Sequence, residues 1–125
     1  MKKLLIVDDE SHIRNLLEQT LEVLEKKGVE LLLASNGEEA CDILKKEKPA
    51  LVFLDVMMPR MNGFDVCCAA RGELGLKDTF IILLTAKGQE LDRERGKEVG
   101  ADLYMTKPFD PDEVLARARE ILMLP

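Results

Sequence analysis

Ala50-Leu51-Val52-Phe53-Leu54-Asp55, followed by Val56-Met57-Met58-Pro59-Arg60-Met61-Asn62-Gly63, is the stretch that decides the fold. Five apolar residues led in by Lys48-Pro49 are too few for an ordinary helix, and they suit a strand buried on both faces, as in a parallel sheet covered by helices. In such sheets ligands bind outside the carboxyl ends of the strands, so Asp55 is expected at the mouth of a pocket. Pro59 and the Asn62-Gly63 pair then impose a turn.

Outward from this run, Leu4-Leu5-Ile6-Val7 repeats the theme of β formers ending in acid, here Asp8-Asp9-Glu10. Ile13, Leu16, Leu17, Leu21 and Leu24 recur at helical spacing and predict an amphipathic helix from about Ser11 to Lys26, stopped by Gly28. Val29 to Ala34 reads as a second strand. Asn36 with Glu39 reads as a capping box opening the next helix. After Gly63, the residues Phe64, Cys67, Cys68, Arg71 and Leu74 mark one helical face, ended by Gly72 and Gly75. Phe80 to Leu84 predicts a fourth strand, followed by Thr85-Ala86-Lys87. A weakly patterned helix is expected from about Gln89 to Val99. Gly96 costs it about 1 kcal/mol relative to alanine, which predicts the least stable element. Asp102 to Met105 predicts a short fifth strand leading into Thr106-Lys107-Pro108-Phe109. Asp110-Pro111-Asp112-Glu113 then supplies an N-cap, a proline at the first helical position and an acid to complete a box. Five strands alternating with five helices imply an α/β doubly wound architecture, expected as one domain over residues 1–125.

Composition narrows the function. A net charge of -6 argues against direct binding to nucleic acid or an anionic membrane, both of which require a basic face. Met1-Lys2-Lys3 precedes only four apolar residues before Asp8, so neither a signal peptide nor a membrane span is expected, and a cytoplasmic location is. Cys41, Cys67 and Cys68 are odd in number, lie within helical apolar patterns and lack zinc-type spacing. They are read as small reduced core residues. His12, in the first turn of a Glu-rich helix, reads as a solvated surface residue.

Parallel strands gather their carboxyl ends on one edge. That brings together Asp8 and Asp9 from the first strand, Asp55 from the third, Thr85 from the fourth and Lys107 after the fifth. Each alone has a plain reading as a helix cap, a dipole partner or a solvated loop residue. All of them at the ends of different strands do not. Clustered carboxylates repel unless a cation joins them, and an all-oxygen set with few carboxylates suits Mg2+. A carboxylate facing Mg2+, an ammonium and a hydroxyl is equipped to attack a phosphoryl group, with Asp55 as the nucleophile.

The ordered set Asp8-Asp9, Asp55 with Pro59 and Gly63, Thr85-Ala86, Gly100-Ala101-Asp102, Tyr104 and Lys107-Pro108-Phe109 resembles the response-regulator receiver domains of two-component signalling, chemotaxis regulators included. The resemblance covers essentially the whole chain and implies a flavodoxin-like sheet of order 2-1-3-4-5. It implies that Asp55 accepts a phosphoryl group from a sensor histidine kinase, a histidine phosphotransfer protein or a small acyl phosphate. Asp9, Asp55 and the backbone carbonyl of Met57 would hold Mg2+, with Asp8 assisting through water. Lys107 would pair with Asp55, across a Lys107-Pro108 bond that is cis. Thr85, followed by Ala86, would be the switch hydroxyl, and Tyr104 the ring that turns inward. The face built from the fourth helix, fifth strand and last helix would carry the output, to an attached output domain or a separate target. It is also a possible homodimer surface, for which Glu113, Arg117 and Asp102 are suited, whereas Val99 and Leu103 depart from the acidic residues often found there.

Asn62 stands where the family often has aspartate. Met57 and Lys87, two residues beyond Asp55 and Thr85, occupy positions that tune access of the hydrolytic water; an apolar Met57 cannot orient that water, so slow autodephosphorylation is expected. Two other classes compete: a receiver-like scaffold that is never phosphorylated, and a Mg2+-dependent aspartyl phosphatase. The first has little reason to keep all five site residues. The second needs a general acid where Met57 stands.

Overall fold

The computed structural model describes residues 2–86 and 91–125, and the side chains of these apart from 91–93. The elements are β1 (Lys2–Val7), α1 (Ser11–Leu21), a 3-10 segment (Glu22–Lys27), β2 (Val29–Ala34), α2 (Gly37–Glu47), β3 (Leu51–Asp55), α3 (Gly63–Arg71), β4 (Phe80–Ala86), α4 (Leu91–Glu98), β5 (Leu103–Lys107) and α5 (Pro111–Ile121). All strand pairs are parallel, in the order β2-β1-β3-β4-β5. The chain therefore has the expected doubly wound α/β fold.

Side-chain alternation along the strands explains the layers. Leu5, Val7, Val52, Leu54, Ile81 and Leu83 pack with Ala40 and Leu44 of α2 and Phe64, Cys67 and Ala70 of α3. The intervening residues Leu4, Ile6, Leu51, Phe53, Ile82 and Leu84 pack with Leu17 and Leu21 of α1 and Val114 and Ala118 of α5. Each central strand is buried on both faces, which is why it reads as a continuous apolar run rather than an alternating one. No helix among the described residues is long and apolar enough to cross a membrane.

Several local expectations are corrected. The first helix ends as α-helix at Leu21, and the rest of the expected span winds into the tighter 3-10 form before Gly28. Leu16 is turned outward. β4 runs on to Ala86 and β5 to Lys107, so Thr85, Ala86, Thr106 and Lys107 are strand residues whose backbones pair across the ladder. At the start of α2, Asn36 accepts the Glu39 N–H, but the Glu39 carboxylate receives the N–H of Ser35 rather than of Asn36. Asp110 caps α5 by accepting the Asp112 N–H, and Glu113 closes no box there. Of the cysteines only Cys67 is buried; Cys68 is exposed and Cys41 intermediate. The start of the fourth helix, from Gln89, and Lys87 lie outside the described residues. Gly96, read as a cost, has a packing role: a methyl group there would come within 2.9 Å of the Leu83 Cδ1, so the glycine lets α4 lie directly on β4.

Candidate functional site

The carboxyl ends of β1, β3, β4 and β5 meet at one edge of the sheet. Asp55 is the last residue of β3, and Asp8 follows β1. Thr85 lies one residue beyond Leu84, the β4 partner of Asp55, and Lys107 ends β5. The loop after Asp55 is built by short-range bonds. Gly63 donates its N–H to the Val56 carbonyl at 3.0 Å, and a Cβ at Gly63 would stand 2.4 Å from the Asp55 carbonyl oxygen, so only glycine lets α3 begin against the backbone that carries Asp55. Asn62 and Asp65 form a full capping box at that helix start, each side chain accepting the other's N–H. The Asn62-x-x-Asp65 pattern was present in the sequence, where only a turn was read.

One ammonium ties the edge together. Lys107 Nζ donates to Asp8 Oδ2 and Asp55 Oδ1, each at 3.0 Å. The other oxygen of Asp8 accepts the Glu10 N–H at 2.9 Å, and Arg14 donates to the Asp8 carbonyl. Asp8 and Asp55 are almost wholly buried, at 0 and 2 % exposure. Burial, the neighbouring charge of Asp8 and a contact with the Asp9 carboxyl raise the Asp55 carboxyl from its ordinary 3.8 to about 7, against the opposing pull of Lys107. For Lys107, burial favours the neutral amine, but its bonds to Asp55 and Asp8 outweigh this and the ammonium is held above its ordinary value.

Asp9 is exposed at the mouth, and Asp8, Asp9 and Glu10 bring one carboxylate oxygen each within 4.8 Å of one another. Glu10 was not singled out as a ligand; its place directly after Asp8-Asp9 is the signal that could have found it. Thr85 is fully buried, and its Oγ1 has no hydrogen-bond partner among the described residues. Met57 is 59 % exposed beside Asp55, its N–H 3.4 Å from Asp55 Oδ1. Ala86, paired with Lys107 in the ladder, is exposed at the rim. The Lys107–Pro108 bond is cis.

These residues fit a divalent cation. Two buried carboxylates share one ammonium, burial and the charge of Asp8 push the Asp55 carboxyl up to about 7, and the buried Thr85 hydroxyl has no hydrogen-bond partner among the described residues. Hard oxygen donors of this kind match Mg2+. Tyr104 is half-buried on β5 beside a cleft of about 350 Å³ shared with Leu83, Gly96, Lys97, Asp102 and Leu103.

Comparison with known proteins agrees with this geometry. The family described as "Response regulator receiver domain" matches residues 4–119. A probable transcriptional regulator, ycf27, of Porphyra purpurea is 50% identical over 97% of this chain and 47% of its own length. The alkaline phosphatase synthesis transcriptional regulatory protein PhoP of Bacillus subtilis is 48% identical over 97% of this chain and 48% of its own. The chain thus spans about half the length of these curated relatives. Among solved structures, the chemotaxis protein CheY4 of Vibrio cholerae superimposes with a TM-score of 0.84 at 34% identity, covering 97% of this chain and 98% of that one. With the sheet order, the acidic edge and the family match in accord, this chain belongs to the response regulator receiver domains of two-component signalling.

Proposed function

We propose that this chain is a phosphoacceptor whose Asp55 takes a phosphoryl group from a phosphohistidine, on a sensor histidine kinase or a histidine phosphotransfer protein. The observation that carries the reading is Asp55 itself: a buried carboxylate at a strand end, held by the Lys107 ammonium, at the sheet edge that also carries the buried Thr85 hydroxyl, which has no hydrogen-bond partner among the described residues. An Asp55 oxygen lone pair forms a bond to phosphorus while the phosphorus–nitrogen bond breaks. Its electron pair stays on the imidazole, which leaves neutral after taking up one proton. With acetyl phosphate the same transfer releases acetate.

Asp8, Asp9, Asp55 and the Met57 backbone carbonyl are the residues to hold Mg2+. When bound, Mg2+ offsets the excess carboxylate charge and the charge that spreads over the phosphoryl oxygens in the transition state. Lys107, already aimed at Asp55, provides a second positive charge without rearranging. Thr85 provides the hydroxyl that the new acceptor oxygens recruit. The chain is a switch without independent substrate turnover, and water ends the signal by cleaving the acyl phosphate. Met57 presents an exposed thioether at the site, which cannot orient that water, so the acyl phosphate is expected to be long-lived.

Tyr104 and the surface of α4, β5 and α5 are assigned the output, toward an attached output domain or a separate target, in the cytoplasm. A homodimer through that face would draw on Glu113 and Arg117. One oxygen of Asp102 is already engaged within the chain, by Arg71 at 2.7 Å and by the Ile81 N–H at 2.9 Å.

Intact mass after incubation with acetyl phosphate and Mg2+ tests the reading. The parent is expected to gain one phosphoryl group and Asp55→Asn none. A parent that stays unmodified, or a variant that is modified equally, would remove the proposal. Following the modified mass over time tests its lifetime, and loss within seconds would contradict the role given to Met57.

A further inference from the structure

One face of α3 grips α4 and the turn after it, through residues spaced three and four apart. Phe64 is buried, and the Arg95 guanidinium of α4 lies over its ring, 5.3 Å from the centroid. One turn on, the Cys67 thiol donates to the Val99 carbonyl at 3.3 Å. At the end of the helix, Arg71 donates to the carbonyls of Gly100 and Leu76 and to Asp102. Asp102 in turn is fixed to β4 by two bonds with the backbone of Ile81.

The grip is uneven. The segment from Val99 to Asp102 is pinned by several hydrogen bonds, two of them from a single guanidinium fork. Among the described residues, the body of α4 is held to α3 by the Arg95 contact, a cation over a ring. Among the described residues of α4 the buried one is Gly96, which rests on Leu83 with no side chain to interlock, so the helix can shift there without uncoupling a knob from a hole. Phe64 also follows Gly63, which sits against the Asp55 backbone. The ring that holds α4 therefore begins at the loop that carries Asp55.

We infer that the Arg95–Phe64 contact is a latch that keeps α4 in its unphosphorylated position, with Val99–Asp102 as the fixed end about which the helix turns when the latch opens. The switching half of this inference rests on the phosphoacceptor reading; the latch itself does not. Because the contact stabilises one position of α4, breaking it shifts the population toward the other, and by linkage it strengthens whatever ligand prefers that other position by the same factor.

Hydrogen exchange of the backbone over residues 91–98 tests the latch without any phosphoryl group. Arg95→Met keeps the stem of an exposed side chain and removes its charge, so the variant will fold. Exchange there is expected to rise about two- to five-fold, the range for a cation–π contact at an open site. Arg95→Lys should restore most of the protection. Phe64→Leu also loosens the core and so has a larger effect of its own, but adding Arg95→Met to it should raise exchange little further, since both remove the same contact. Unchanged exchange in Arg95→Met, or effects that simply add, overturns the latch. In a second arm, titration with beryllofluoride and Mg2+, Arg95→Met should bind more tightly by the same two- to five-fold factor, about that of the exchange arm. Raised exchange with unaltered affinity overturns its role in switching. A parent that binds no beryllofluoride would instead count against the phosphoacceptor reading, a failure the exchange arm keeps separate.

Discussion

Asparagine in place of Asp55 is expected to make the metal-free protein more stable at about pH 8, by a few kcal/mol. The carboxyl titrates at about 7 in the folded chain and at the ordinary 3.8 when unfolded, because burial and the adjacent Asp8 disfavour its charge. Between these values the native state binds the extra proton, so stability from this group is full below about pH 4 and is lost as pH rises through about 7. Each pKa unit is worth about 1.4 kcal/mol, which sets the scale. Asparagine has no charge to bury and can still accept from Lys107. Urea denaturation in EDTA at about pH 5 and pH 8 should show the parent falling between the two relative to Asp55→Asn. Mg2+ should reverse this in the parent, more at pH 8 than at pH 5, because it binds the folded site and favours the ionised carboxylate. Equal pH slopes for parent and variant would show that the Asp55 charge is not opposed by the fold.

The same buried carboxylate explains why so much of the site could be read from the chain. Leu51 to Leu54 had to be buried on both faces, so the sheet had to be parallel and helix-covered. A parallel sheet has only one edge at which Asp8, Asp55, Thr85 and Lys107 can meet. Local patterning was enough for the topology. It was not enough for strand ends, because Thr85, Ala86, Thr106 and Lys107 are held in the ladder by partners on neighbouring strands rather than by their own propensities. Glycines show the same limit. Gly63 and Gly96 look like a turn former and a helix breaker, yet each is there because of a group distant in sequence, the Asp55 carbonyl in one case and the Leu83 side chain in the other. Cys68 falls within the apolar pattern of its helix and is nevertheless exposed, since the pattern spans a wider arc than the sheet covers. Asp102 binds Arg71 of α3, 31 positions away, a pairing that no local pattern reveals.

Methionine in place of Lys107 is expected to destabilise the metal-free protein strongly at about pH 8, on the order of 3–5 kcal/mol, the usual consequence of leaving a buried charge without its partner. Lys107 bonds two carboxylates at 3.0 Å, and their exposures are 0 and 2 %, so solvent screens their charges little. The Lys3–Glu47 pair makes the contrast. It is shorter, at 2.6 Å, but both side chains are about one-third exposed, and an ion pair that open to solvent contributes little. Burial, not distance, decides which of the two matters. The loss in Lys107→Met should shrink as pH falls, because without the ammonium Asp55 takes up its proton still more readily and the uncompensated charge disappears. Mg2+ should recover part of it at pH 8 by supplying the missing positive charge. Denaturation of Lys107→Met and Lys3→Met side by side at about pH 5 and pH 8 separates the cases. Should the two variants lose stability equally, or Lys107→Met lose as much at pH 5 as at pH 8, the ammonium would be a packing element and not the counter-charge of the site.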